Sequence, residues 1–400
     1  METPQNLAEL LNADGFKSIP KSFIREILKV TAHSDIISFA GGLPNPAFFP
    51  VQEIQAAAMK ALEKDGRRLL QYGESEGYRP LREYIAARYK QKHNLEVDPD
   101  VILITNGSQQ GLDLVSKVFL NKGDRVLMER PAYLGAIQAF SAYNADIRTI
   151  NLLDDGPDIE RLTEILDKQK VKLFYGIPNF QNPTGISYSI EKRKQVAEIM
   201  NRFPSLFIED DPYGDIRFSG ENLPPIKSYL NEQTILLGSF SKTISPGMRM
   251  GWVVASKEIM QKLLIAKQLT DLHSNNLSQR VIYQYLMDND FDNHINKINE
   301  TYKRQCDLMV EAIMEYFPHD VKVTQPQGGM FLWLTLKESQ NTMELFKIAI
   351  KEKVAFVPGN SFYPKNDCHN TMRLNFSNSD EIKIKQGIKI LGNILKRNSS

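Results

Sequence analysis

The chain has 400 residues, 42% hydrophobic and 24% charged, an ordinary globular composition. That length exceeds the roughly 250–300 residues at which a single core usually splits, so two domains are expected. Lysine and arginine number 49 against 48 aspartates and glutamates, a net charge of +1, which excludes an overall attraction to nucleic acid or anionic membrane.

The two cysteines, Cys306 and Cys368, provide no disulfide framework and stand in no CxxC or Cys/His ligand spacing. They suit a reducing compartment, and no metal is expected. The opening Met-Glu-Thr-Pro lacks the basic and apolar regions of a signal peptide. No segment approaches the ~20 consecutive apolar residues that span a bilayer. The cytoplasm is the expected compartment.

Short apolar runs alternate with helical patterns along the chain. Strands are predicted at 101–105, 125–129, 146–150, 171–176, 206–210, 234–238 and 250–255. Several are almost wholly apolar, as strands covered by helices on both faces should be. Helical patterns over 109–120 and 190–201 complete a β/α alternation, which predicts a mainly parallel seven-stranded sheet. One connection breaks the rule. Between 238 and 250 a loop with Pro246 and Gly247 leaves no space for a crossover helix, and parallel crossovers need about a dozen residues or more. The strand 250–255 is therefore expected to run antiparallel to its neighbour.

After Asn289 the pattern changes. A long helix is predicted over about 293–316, followed by segments 322–324, 330–336 and 343–353. A tail helix over 380–396 carries apolar Ile382, Ile384, Ile388, Ile390 and Leu391. These predict a smaller α/β domain, residues 1–45 with 291–400, beside a large domain of 46–290.

In open α/β sheets, ligands bind outside the carboxyl ends of the strands. After 101–105 comes Asn106-Gly107-Ser108-Gln109-Gln110, a glycine turn opening a helix, whose free N–H groups and dipole attract an anion. After 171–176 comes Asn179-Phe180-Gln181-Asn182-Pro183-Thr184-Gly185; 206–210 ends in Asp210-Asp211-Pro212-Tyr213; 234–238 runs into Ser239-Phe240-Ser241-Lys242-Thr243. Singly, each is more often a turn, a helix cap or a solvated lysine. Jointly they place an amide, a carboxylate, a phenol, hydroxyls and an amine at successive strand ends. Adjacent strands lie only ~4.8 Å apart, so these groups can share one cleft.

With Arg249 and Arg373-Leu374-Asn375-Phe376-Ser377, these motifs resemble the class I/II aminotransferases of pyridoxal 5′-phosphate (PLP) fold type I, in order and over nearly the whole chain. Within that family the chain is similar to the 2-aminoadipate and kynurenine aminotransferase branch. The similarity rests on Ile37-Ser38-Phe39-Ala40-Gly41-Gly42-Leu43-Pro44-Asn45-Pro46, on Leu70-Gln71-Tyr72-Gly73 and on Thr105–Gln110. Arg249 comes one position earlier than in the aspartate aminotransferase pattern, another trait of that branch.

The resemblance implies a role for each residue. Lys242 would carry PLP as a Schiff base and act as nucleophile and base. Asp210 would pair with the pyridinium nitrogen, with Asp211 the neighbouring candidate. Asn182 and Tyr213 would hydrogen-bond the ring's phenolic oxygen, and Tyr133 would stack on the ring. Gly107, Ser108, Gln109, Ser239, Ser241 and Arg249 would hold the phosphate, with Tyr72 reaching it from a partner subunit in a homodimer. Arg373 would grip the substrate carboxylate. Gly41 and Gly42 would let backbone approach the substrate as the N-terminal segment closes over the site. Arg25 matches a helix position that meets a distal substrate carboxylate in some relatives.

The implied reaction is ping-pong transfer from an L-amino acid to a 2-oxo acid such as 2-oxoglutarate. Its alternative is a PLP lyase or decarboxylase on the same scaffold. A transcription regulator with a DNA-binding module is disfavoured, because the resemblance begins near residue 16 and the charge offers no basic footprint.

Overall fold

The computed structural model describes residues 11–17, 19, 27 and 35–398. After a short β1 (Ile37–Ser38) come β2 (Ile102–Thr105), β3 (Arg125–Arg130), β4 (Asp146–Leu153), β5 (Gly156–Pro157), β6 (Leu173–Gly176), β7 (Leu206–Asp211), β8 (Thr234–Ser239) and β9 (Gly251–Val254). Strands β2 to β9 form one sheet in the order β2-β9-β8-β7-β6-β3-β4-β5. All seven predicted strands are present. The eighth, β5, is a two-residue Gly-Pro segment at the edge, too short for a periodic signal, paired antiparallel with β4.

Alternating side chains explain why these runs are apolar throughout. On β7, Ile208 enters one core cluster and Phe207 another on the opposite face. On β8, Leu237 and Leu236 divide in the same way. The helices Ser108–Phe119 and Ile190–Met200 close two of the predicted β/α units. Ser189 caps the second, its side chain accepting from the Lys192 N–H.

β8, β7, β6, β3 and β4 are parallel, whereas β9 runs antiparallel to both β8 and β2, as its short connection requires. This reversal matters for the site. The first residue of β9, Gly251, pairs with Thr105 and Ser239, the last residues of β2 and β8. Residues just before β9 therefore arrive at the same edge as residues just after β2 and β8.

A second sheet, all antiparallel, has the order β10-β11-β14-β13, from β10 (Lys322–Val323), β11 (Phe331–Thr335), β13 (Val357–Pro358) and β14 (Thr371–Asn375). β1 pairs in parallel with β12 (Val354–Ala355). The helices Phe291–Tyr316 and Glu381–Arg397 cover this part. The tail helix buries Ile384, Ile388, Leu391 and Leu395 in one stripe, while Ile382 falls outside the stripe and is exposed. Among the described residues no helix is long and apolar enough to cross a membrane, and no group of His, Cys, Asp or Glu could hold a metal.

Candidate active site

A cleft of about 410 Å³ opens at the carboxyl edge of the large sheet. Its walls include Gly42, Gly107, Ser108, Gln109, Tyr133, Asn182, Asp210, Tyr213, Ser239, Ser241, Lys242, Arg249 and Arg373. Gly41 is not on these walls. Tyr72 lines a different cleft, is 77% exposed, and sets its ring edge-on to His273 at 5.8 Å between centroids. Arg25 lies outside the described residues.

One end of the cleft is built for an anion. Gly107 precedes the helix Ser108–Phe119 with φ +78°, a conformation that favours glycine. A Cβ there would lie 2.6 Å from Arg249 Nη2, so the missing side chain is also what admits the guanidinium. Arg249 donates from Nη2 to the Asn106 carbonyl at 3.2 Å and from Nη1 to the Pro246 carbonyl at 3.3 Å. The Ser239 and Ser241 hydroxyls sit 2.9 Å apart, and the Ser241 N–H donates to Ser239 Oγ at 3.1 Å. Gly251 is equally constrained: a Cβ there would come within 2.8 Å of the Ser108 nitrogen. Helix N-terminal N–H groups, two hydroxyls and a fixed cation thus meet at one point.

Further in, β7 alternation turns Asp210 to the cleft side and Asp211 away. The Asp211 carboxylate accepts from Asn179 Nδ2 at 3.0 Å. Asp210 Oδ2 accepts from the Tyr175 hydroxyl at 2.7 Å, whereas its Oδ1 is buried with no hydrogen-bond partner. Burial raises the Asp210 carboxyl to about 7, against the opposing pull of the Tyr175 hydrogen bond. Tyr175 was not anticipated, because within an apolar strand run a tyrosine reads as core. Only the β6–β7 register, with Tyr175 opposite Ile208, brings it beside Asp210.

Lys242 donates from Nζ to the Gly42 carbonyl at 2.9 Å. Burial first, then the Arg373 and Arg249 cations, lower it to about 8, so a useful fraction of the amine is neutral near pH 7 to 8. Tyr213 lies beside it, the ring centroid 5.9 Å from Nζ. The Asn182 Nδ2 donates to the Tyr213 hydroxyl at 3.4 Å, and burial holds that phenol above its ordinary range.

Arg373, from β14, completes the wall. Its guanidinium stacks over Phe331 (4.3 Å) and Phe362 (5.1 Å) and donates to Asn182 Oδ1 and the Ala40 carbonyl, both at 2.8 Å. Its Nε is buried without a partner. Burial lowers the guanidinium to about 10, which leaves it charged at neutral pH. The Asn182 loop is itself held from below. Glu129 on β3 accepts from the Tyr188 hydroxyl (2.5 Å), Gln181 Nε2 (3.0 Å) and the Ile177 N–H (3.2 Å). No motif pointed to Glu129, and Gln181, though it stands in the Asn179–Gly185 segment, received no role, since the contacts between Glu129 and this region join residues 48 to 59 apart along the chain.

The orphaned Asp210 Oδ1 suits a protonated ring nitrogen, the cup at Gly107 suits a phosphate, and Lys242 lines the same cleft. These residues fit PLP.

Residues 35–391 match the profile of the family described as aminotransferase class I and II. The aromatic-amino-acid aminotransferase 1 of Thermococcus litoralis is 42% identical over 381 residues, 94% of this chain and 91% of that protein. The 2-aminoadipate transaminase of Thermus thermophilus is 39% identical over 386 residues, 96% of each. Among solved structures, Pyrococcus horikoshii kynurenine aminotransferase, crystallised with PMP, KYN and KYA, superposes with a TM-score of 0.94 at 42% identity, covering 99% of both chains.

Proposed function

The chain belongs to the class I and II aminotransferases, and from that membership we propose a role for each residue of the cleft. The enzyme is PLP-dependent, of fold type I, and transfers an amino group from an amino acid to a 2-oxo acid. PLP supplies an electron sink for the pair released when a bond at the substrate Cα breaks.

Lys242 anchors the cofactor and, as a neutral amine, takes and returns the proton at the substrate Cα. Its low proton affinity serves that work, because a base near the working pH is efficient. Asp210 accepts from the ring nitrogen through Oδ1 and keeps it charged, while Tyr175 fixes the other carboxylate oxygen. Asn182 and Tyr213 orient the ring oxygen, and Tyr133 covers the ring. Gly107, Ser108, Gln109, Ser239, Ser241 and Arg249 hold the phosphate. Arg373 takes the substrate carboxylate by two parallel hydrogen bonds, its plane preset by Phe331 and Phe362. Gly42 brings backbone to the lysine, and Gly41 beside it gives the same close approach to substrate. What supports the reading is the meeting of Lys242, the half-satisfied Asp210 and Arg373 on one cleft.

The amino donor is proposed from a broad range that includes 2-aminoadipate, glutamate and aromatic amino acids, with 2-oxoglutarate as acceptor. The relatives named for aromatic, 2-aminoadipate and kynurenine substrates support it, and favour transfer over a lyase or decarboxylase. Arg25 is the candidate for a distal carboxylate. Tyr72, exposed in the single chain, is assigned to the phosphate of a partner subunit in a homodimer. Residues 46–290 are taken as the PLP-binding domain and 1–45 with 291–400 as the smaller one. The two free cysteines suit the cytoplasm.

The test is the visible absorbance of bound PLP. Glutamate or 2-aminoadipate should bleach it and 2-oxoglutarate should restore it. An unresponsive band, with ammonia or CO2 released from an amino acid, would mean a lyase or decarboxylase. No band after adding PLP would overturn the assignment.

A further inference from the structure

Beneath the anion cup lies a polar cluster that the chemistry above does not use. Lys267, on the helix Lys257–Asp271, is fully buried. Its Nζ donates to Gln110 Oε1 at 2.8 Å and to Ser274 Oγ at 2.9 Å, and lies 2.8 Å from the Asp271 carboxylate. Asp271 Oδ2 also accepts from Asn106 Nδ2 (2.8 Å) and Gln110 Nε2 (2.7 Å). Gln110 Oε1 accepts in addition from the Asn106 backbone N–H at 2.8 Å, and Ser274 Oγ donates to the Ile104 carbonyl at 3.0 Å.

These bonds grip the chain on both sides of Gly107, at Ile104 and Asn106 before it and at Gln110 after it. Asn106 in turn offers the carbonyl that anchors Arg249. A buried ion pair is weak evidence for stability, since its desolvation commonly cancels its attraction and apolar groups of similar size often serve as well. Here nearly every hydrogen bond beyond the pair itself ends on the turn, so its consequence is geometric.

We propose that Lys267 and Asp271 are positioning residues for the cofactor phosphate, holding the backbone of 104–110 so that the N–H groups after Gly107 and the Arg249 guanidinium converge. The inference rests on the reading that this cup takes phosphate. Neither residue reaches the cleft wall. Their effect is therefore specific to ligands that carry the phosphate.

The test compares PLP with pyridoxal, which has the ring and aldehyde but no phosphate, in titrations of the cofactor-free full-length protein. Lys267→Met and Asp271→Asn should weaken PLP binding roughly ten- to a hundredfold, the worth of one or two lost charged hydrogen bonds, and leave pyridoxal binding unchanged. Should a single variant fail to fold, Lys267→Met with Asp271→Leu removes both charges together and serves the same comparison. Equal weakening of both ligands, or no weakening of PLP, would overturn the proposal. Wild type that binds PLP no more tightly than pyridoxal would remove the phosphate reading itself, and this inference with it.

Discussion

Replacing Arg373 with alanine separates two effects of one side chain. A guanidinium that grips a carboxylate by two parallel bonds contributes two charge-assisted hydrogen bonds, each worth about 1.5–3 kcal/mol. Their sum, about 3–6 kcal/mol, corresponds to a fall in kcat/KM of about 10²–10⁴-fold, most of it through KM. The same cation is, after burial, the first charge that lowers Lys242. Without it the lysine should climb from about 8 toward its ordinary value. In the cofactor-free protein the pH midpoint for PLP capture should therefore move upward. Arg373→Lys keeps the charge but loses the planar fork, so it should lower kcat/KM while moving the midpoint far less. Steady-state kinetics over a range of pH, with apoprotein reconstitution rates, measure both. A KM for the amino donor within threefold of wild type, or a midpoint unmoved by Arg373→Ala, would refute the reasoning.

Lys242→Ala should abolish transamination, and steady turnover by the pure variant would remove the lysine from its role. Gly107→Ala forces a Cβ to 2.6 Å from Arg249 Nη2 at φ +78°, so PLP affinity should drop at least about tenfold by direct titration, with fold stability changed by only ~1–2 kcal/mol. Glu129 is a buried carboxyl raised from 4.5 to about 7, so between those values the folded state holds the extra proton and stability falls as pH rises. That rise corresponds to roughly 3 kcal/mol. In urea unfolding of the cofactor-free protein, Glu129→Gln should flatten the stability profile between pH 4.5 and 7, and an unchanged slope would argue that Glu129 is not protonated when folded.

Much of the fold was legible because strands covered on both faces are apolar throughout, and the break between 238 and 250 betrayed the one reversed strand. The two-residue β5 and the exposed Ile382 were not, since one is too short for periodicity and the other depends on which stripe of its helix is covered. Lys242, Arg249, Arg373 and Asn182, which the structure gathers on one cleft, were named from motifs, since the proposed chemistry requires those residue types after strands. What lies behind them was silent. Tyr175, Glu129, Gln181, Lys267 and Asp271 are ordinary residues whose significance depends on contacts between distant segments.

By itself, then, the sequence determined the β/α order, the reversed strand and the polar groups that gather at the strand ends, because local patterning and short motifs encode them. The tertiary structure added the physical reason for preferring Asp210, the first choice from sequence, since strand alternation turns it and not Asp211 to the cleft. It alone joined Arg249 to Gly107 through the reversal of β9, and left Tyr72 outside the single chain's own site. Those outcomes follow from strand register and packing across the sheet, which no single stretch of residues specifies.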